Sequence, residues 1–411
     1  MPVRDGDKFD VIIIGRGFVG ATLGLALAGA GVRCLIVEAA AGAEAVTAPR
    51  PIALAYGSRK ILAGLGQWPA IEEHASPIRG IHVSDRGRFG FARIRAEDYG
   101  VDALGYVSDA RDVASVFAHA VSNASPALQI LQPYAPTRAV FDQGAVRVDC
   151  GATASGAPGL RLSARLLVAA DGGQSNARAL AGISVREVDW RQSAISATLT
   201  SRLDHEQVAF ERFTEDGPVA LLPLARRTSG LVWTLPGDKA DRMMDLDDSE
   251  FTAAIGRTFG SRLGSFTHAG PRTRHRLFSV HSRGVIKPRF ALAGNAANHL
   301  HPVAGQGLNL GLRDAAALAE VVIDALRRGE DPGSMPVLRR YADWRQGDQR
   351  LTAEFTGGVV RLFSNDYLPL AAVRDLALLG LDSFGFIKGR LARHAMGVAG
   401  RSSRLARGLP L

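Results

Sequence analysis

Three glycines, Gly15, Gly17 and Gly20, follow the apolar run "FDVIII" and open a helix-like stretch. At each position a missing side chain does a different job. Gly15 permits a tight turn, Gly17 lets a pyrophosphate approach the backbone, and Gly20 lets helix and strand pack closely. The helix N-terminus then offers unpaired N–H groups and a positive dipole end to the phosphates. Glu38 stands eighteen residues beyond Gly20, at the end of a second apolar run, "RCLIVE". An acid there takes both ribose hydroxyls of an adenosine, which favours FAD or NAD over NADP. Far downstream, "GNAANHLHPVAGQGLNLG" (294 to 311) gathers four glycines, three asparagines, two histidines and a proline. His299 and His301 raise the question of a metal site. A backbone cradle for a bound cofactor is the other reading.

The glycines need a strand before them and a helix after them. "FDVIIIG" is a continuous apolar run of strand length, suited to a parallel sheet buried on both faces. The stretch 18 to 32 is too short to span a bilayer and carries four glycines, so it reads as a buried helix. No second GxGxxG follows a strand downstream. The segment 78 to 95 reads as a hairpin around Asp85–Gly87, and a helix is expected from Arg111 to Val121. A strand ends at Asp171. From about 187 to 235, "SAISATLT", "QVAFERF", "PVALLPL" and "SGLVWTL" read as a separate antiparallel sheet. A helix follows at 248 to 260, "RFALAG" returns to a buried strand, and "GLNLGLRDAAALAEVVIDALRRG" has helical periodicity.

The fold class expected is α/β. A Rossmann-like dinucleotide domain (1–185, with a small hairpin insertion near 78–95) is interrupted by a mixed or antiparallel β-sheet substrate domain (186–275). It is completed by 276–334 and followed by a helical region, 335–411.

Composition narrows the class. The 411 residues are 46% apolar and 22% charged, with net charge +9 and no biased tract. The arginines are scattered and no aromatic-interleaved motif accompanies them, so nucleic acid is not expected as a partner. Cys34 and Cys150 lie in apparent strands and read as core thiols of a reducing compartment. No secretory leader is evident, so the expected location is cytoplasmic. Lys388, Arg390, Arg393, Arg401, Arg404 and Arg407, mixed with Leu391, Met396 and Val398, form either a solvated tail or a surface for acidic lipid headgroups.

Taken together, the GxGxxG start, "DGGQSNAR" and "GNAANHLHPVAGQGLNLGLRDAAALAE" resemble the single-component flavin-dependent aromatic hydroxylases. "RPIALAYGS", "LGYVSDARDV", "FERFTEDGPVALLPL", "VWTLP" and "LFSND" are similar to one branch, the ubiquinone-biosynthesis hydroxylases. The resemblance runs from about residue 8 to 397. It implies that Gly15, Gly17, Gly20 and Glu38 hold the adenosine diphosphate half of FAD. Arg50 reaches the pyrophosphate, Arg111 lies along the FAD, and Asp171 sits near the pyrophosphate. Asn295 holds the ribityl chain, and Pro302, Gly305, Gln306, Gly307, Leu308 and Asn309 line the flavin ring. Where the family most often has Gly-Asp-Ala-Ala-His, this chain has Asn295 and Asn298. Asn295 keeps one acceptor oxygen and brings no negative charge.

On that resemblance the 294–311 stretch is a cradle. A metal would need a third and fourth ligand, and none stands nearby at recognisable spacing. The dipole of the helix that follows favours the anionic reduced flavin. The implied activity is a monooxygenase: NADPH or NADH reduces FAD, and a flavin hydroperoxide delivers oxygen to the phenol ring of a polyprenylated ubiquinone precursor. No catalytic side chain is assigned, because the cofactor carries the chemistry. Phe213, Leu221, Leu222, Pro223 and Trp233 are candidates for the substrate wall. Peripheral membrane contact and a complex with other biosynthetic proteins are expected partners besides the substrate and oxygen. Two rivals are a flavin-dependent prenyl reductase and a non-catalytic FAD-binding scaffold.

Overall fold

The computed structural model describes residues 3–41, 50–88, 90–154, 157–363 and 385–411. The opening sequence folds as a parallel unit of β1 (Lys8–Ile14), α1 (Phe18–Gly29) and β2 (Cys34–Val37), and β2 pairs in parallel with β8 (Leu128–Leu131). On its other side β1 pairs with β11 (Leu160–Ala169), and β11 with β19 (Phe290–Leu292), again in parallel. Strands inside such a sheet are covered on both faces, so Val11, Ile12 and Ile13 are all fully buried and the run does not alternate. Antiparallel β9 (Tyr134–Phe141) and β10 (Val146–Ala152) extend from β11, and β18 (Ile286–Lys287) edges β19. Cys34 and Cys150 are free and buried, and burial pushes both thiols up to about 12.

A second sheet of nine strands faces the first. Its order is β20 (Asn298–His299), β17 (Thr273–Ser282), β12 (Val185–Ser201), β15 (Thr228–Pro236), β14 (Val219–Pro223), β13 (Val208–Phe213), β5 (Gly80–Asp85) and β6 (Phe91–Arg95). β16 (Phe266–Ala269) pairs with β12. The sequence suggests a hairpin inserted in the first layer and a second sheet that is mixed or antiparallel. β5 lies parallel to β13, so the sheet is mixed and the hairpin forms its far edge rather than part of the first layer. A parallel neighbour requires a long crossover, and here the rest of the first sheet supplies it. β17 and β20 carry the sheet past residue 275.

α6 (Gly237–Asp245) and α7 (Asp248–Phe259) cover one face of this sheet, where Ile195, Leu221, Leu231 and Trp233 pack with Phe251, Ile255 and Phe259. A small sheet of β3 (Pro51–Ala55), β7 (Gly105–Asp109) and β4 (Ser76–Ile78) packs against β12, β14 and β15 of the second sheet. α2 (Tyr56–Gly64), α3 (Trp68–Glu72), α4 (Ala110–Ser122) and α5 (Asn176–Leu180) complete this region. α8 (Gln306–Arg327) packs on α1, with Gly294 and Gly311 both against Val19. α9 (Met335–Phe363) and α10 (Gly385–Ala395) follow. Most of the "LFSND" motif lies outside the described residues.

Candidate functional site

One cavity of about 1270 Å³ runs from the C-terminal end of β1 to the inner face of the second sheet. At its first end, Gly15 has φ +101°, and a Cβ there would lie 2.6 Å from the Ala170 carbonyl oxygen. A Cβ on Gly20 would collide with the Gly15 carbonyl oxygen, so Gly20 sets the spacing of α1 on the turn. Gly17 precedes α1 in an extended conformation, with open space where its Cβ would be and no side chain capping the helix. The first N–H groups of α1 are thereby left to a ligand. Glu38 is fixed by the N–H groups of Arg16 (2.7 Å) and Ala40 (2.9 Å), which donate to its two oxygens. Asp171 accepts from the Ser175 hydroxyl and from the Ala177 N–H (3.0 Å), and it lines the cavity together with Arg50.

The middle of the cavity is walled by the residues that follow β19. Gly294 takes φ +62° and donates its N–H to Asp314 (3.2 Å). Asn295 faces the cavity beside Gly307, whose Cβ would lie 3.7 Å from the Asn295 Oδ1. Pro302, Gly305, Gln306, Gly307, Leu308 and Asn309 line the same space. Gly305 has φ +59° and caps α8 without a side chain. Asn309 is committed to the fold. Its Oδ1 accepts from the Ala55 N–H (2.7 Å) and the Ser58 hydroxyl (2.8 Å), and its Nδ2 donates to the Ala53 and Gly305 carbonyls. It ties the start of α8 to β3 and α2. Asn298 hydrogen-bonds His281 on the neighbouring strand.

The two histidines pack. His299 lies 4.5 Å from the Phe278 ring and against Gly173, and burial lowers its pKa. His301 is 1% exposed, meets Trp190 edge-on, accepts the Val303 N–H, and is pushed down to about 4 by burial. Among the described residues, no group of three or more His, Cys, Asp or Glu side chains could hold a metal ion.

The far wall is the inner face of the second sheet. Ala194, Ser196, Ala209, Glu211, Phe213, Ala220, Leu222, Val232 and Thr234 line it, with Ile81, Val83, Ala92 and Ile94 from the hairpin. Of the expected wall residues, Phe213 and Leu222 are here. Leu221 and Trp233 are not: they point through the sheet into the core against α7. Pro223 is buried outside the lining. The strand period of two sends neighbours to opposite faces, so Ala220, Leu222, Val232 and Thr234 take the place expected for Leu221, Pro223 and Trp233. Arg111 also stands outside the lining, about half exposed and held by Asp109 (3.0 Å). Ala114, Phe117 and Ala118 are the residues by which α4 meets the cavity.

Comparison with known proteins assigns this architecture. Residues 8–346 match the family described as FAD binding domain. Ubiquinone hydroxylase UbiL of Rhodospirillum rubrum is 36% identical, covering 98% of this chain and 93% of the relative. The chain belongs to the FAD-dependent hydroxylases of ubiquinone biosynthesis. Another member, 3-demethoxyubiquinol 3-hydroxylase of Escherichia coli, is 29% identical over 95% of this chain and 98% of its own. The fold is shared with p-nitrophenol 4-monooxygenase PnpA from Pseudomonas putida, at TM-score 0.76 and 18% identity over 96% and 99% of the two chains.

As in the rest of the family, the cofactor is FAD. The lining suits it. A glycine turn and bare helix end suit a pyrophosphate, and a fixed acid at the end of β2 suits a ribose. A flat, side-chain-poor segment at Gly305–Gly307 suits an aromatic ring.

Proposed function

We propose that the protein hydroxylates the phenol ring of a polyprenylated ubiquinone precursor, with NADPH or NADH as electron donor. The observation that supports this reading is that one cavity is lined by both the dinucleotide end and a largely apolar sheet face. In this reading Gly15, Gly17, Gly20 and Glu38 hold the adenosine diphosphate half. Arg50 and Asp171 stand by the pyrophosphate, and Arg111 lies along the FAD from the start of α4. Asn295 bonds the ribityl chain, and Pro302 to Asn309 line the ring. Bound FAD supplies oxygen activation after reduction by the nicotinamide. The chain's own work is to exclude water and hold the substrate ring in place. Ile81, Val83, Ala92 and Ile94 offer the apolar surface a prenyl chain requires.

The test is anaerobic reduction of the FAD-loaded protein by NADPH and by NADH, with and without a short-chain 2-prenyl-6-methoxyphenol, followed by oxygen and mass analysis. A product heavier by one oxygen atom is expected, with reduction accelerated by the phenol. Flavin reduction that saturates the prenyl chain instead would make the protein a reductase. FAD that binds but is never reduced would make it a scaffold.

A further inference from the structure

Among the described residues three acids line the cavity. Glu38 and Asp171 are engaged at the dinucleotide end, while Glu211 stands alone on the sheet wall. It sits mid-strand on β13, in register with Ala220 on one side and Val83 on the other. Neither neighbour can donate a hydrogen bond from its side chain. The next residue, Arg212, turns to the opposite face and donates to the Phe259 carbonyl (2.5 Å), which fixes Glu211 toward the cavity. Among the described residues the Glu211 carboxyl has no hydrogen-bond partner and no ion pair. Burial alone raises its pKa, to about 7. A carboxyl held in an apolar wall without a partner costs stability, and such a group is a candidate for work on a ligand.

The wall also connects to the cradle. Leu222, diagonal to Glu211 on β14, packs in one cluster with Ala53 of β3, and Ala53 lies against Gly305. A ring held between the sheet and the Gly305–Gly307 segment is therefore within the space that Glu211 faces. Resting on the hydroxylase reading above, we propose that Glu211 is a catalytic residue that accepts the hydrogen bond, and then the proton, of the substrate's phenolic hydroxyl. A prenylated methoxyphenol offers one donor, that hydroxyl, and an ionised carboxylate is an acceptor only. The ring's electrons form the new bond to a hydroxyl oxygen supplied by FAD-activated oxygen, whose O–O bond breaks and takes its electron pair away on the leaving oxygen. As that bond forms, the electron pair of the phenolic O–H bond moves into the carbon–oxygen bond. The proton passes to Glu211, leaving a neutral dienone and a neutral carboxyl. Loss of the hydrogen at the attacked carbon as a proton to water restores the aromatic ring, and the former carbonyl oxygen takes its proton back from Glu211, which is left ionised.

Among the described residues the other ionisable groups that line the cavity are His275 and Arg276 on β17, Arg50, Tyr134, His299 and His394, with Arg16, Glu38 and Asp171 at the dinucleotide end. None stands beside Glu211 in the register of β5, β13 and β14.

The experiment titrates FAD-loaded protein with short-chain 2-prenyl-6-methoxyphenol and with its O-methyl ether, read by perturbation of the flavin spectrum between pH 6 and 9. Wild type is expected to prefer the phenol by about 10- to 100-fold, the effect of a hydrogen bond to a charged group. That preference should grow as pH rises through about 7, where the carboxylate forms. Glu211→Gln and Glu211→Ala should keep FAD affinity, with Glu211→Gln melting no lower than wild type, but lose the preference and its pH dependence. Their kcat/KM for the phenol should fall by at least about 100-fold, the lower end for loss of general-base help. Unchanged preference and kcat/KM in both variants would overturn the assignment while leaving the hydroxylase reading intact. Loss of FAD affinity in Glu211→Gln would overturn it in favour of a cofactor contact. A wild-type protein indifferent to both probes would sink the hydroxylase reading and this one with it.

Discussion

Glu211 carries a stability consequence separate from any substrate. Its folded-state pKa of about 7 lies above the ordinary 4.5, so the folded protein holds a proton that the unfolded chain releases. Stability is therefore lost as pH rises from about 4.5 to about 7, and the loss is complete above that. Glutamine does not titrate, so Glu211→Gln should gain relative to wild type over the same window. The gain is at most about 3 kcal/mol at pH 8 and less than about 1 kcal/mol at pH 5. Thermal midpoints of the substrate-free holoprotein at these two pH values check this. An identical difference at both would show that the carboxyl is well solvated. A side chain that weakens the fold at working pH, yet occupies the substrate wall, fits a trade of stability for activity. Asn309 is the opposite case. The sequence marks it as a flavin contact, whereas its side chain has both acceptor bonds and both donors spent on β3, α2 and Gly305, so it shapes the cradle by holding its frame.

Elements explain what the sequence made legible and what it hid. β1, α1, β2 and Glu38 were readable because each position has a single solution: a strand buried on both faces, a turn too tight for a Cβ, an acid at the strand end. The second sheet was readable as strands but not as faces. α6 and α7 cover one side and the cavity the other, so apolar residues stand on both, and no polar alternation marks the parity of Leu221 or Trp233. Glu211 and Arg212 break the apolar run between Phe210 and Phe213, but as neighbours they point to opposite faces and do not by themselves say which is the cavity side. The ion pair of Arg111 with Asp109, two residues away, is not marked by the motif. α8 is held by charges that periodicity cannot show. Asp314, 0% exposed, accepts from Arg345 (2.7 Å), Gln349 (3.1 Å) and the Gly294 N–H, while Asp348 binds both Arg345 and Arg313. Two acids balance two arginines, so Asp314→Ala leaves a buried excess of positive charge and frees the Gly294 turn. The expected cost is about 3–5 kcal/mol. FAD release should track the lowered thermal midpoint, because Asn295 hangs on that turn. Asp314→Asn, which keeps an acceptor, should lose less. Equal loss in the two variants would mean that the charge balance does not matter.

On the function proposed above, a nearly insoluble prenyl phenol has to reach the cavity, and α10 lies between that cavity and the surface. Leu391, Ala392, His394 and Ala395 line the cavity from one face of the helix. From its start and outer face, Phe386 stands 73% exposed, with Arg390 and Arg393 exposed beyond it. No helix among the described residues is long and apolar enough to cross a membrane. A large aromatic ring beside basic side chains instead suits contact with a lipid surface, in a chain whose net charge is +9. Each arginine near an anionic bilayer contributes about 1 kcal/mol, and burial of a phenylalanine about 1.5–3 kcal/mol. Phe386→Asp combined with Arg390→Glu should therefore weaken co-sedimentation with phosphatidylserine-containing vesicles by at least about tenfold. The same variant should lose kcat/KM for a long-chain prenyl phenol presented in vesicles while keeping it for the soluble short-chain phenol. Neither position lines the cavity, so a fall in both rates would place the fault in the fold of α10 rather than in membrane contact. Unchanged vesicle binding would make this surface an ordinary solvated face. The substrate would then have to reach the cavity from a carrier rather than from the bilayer.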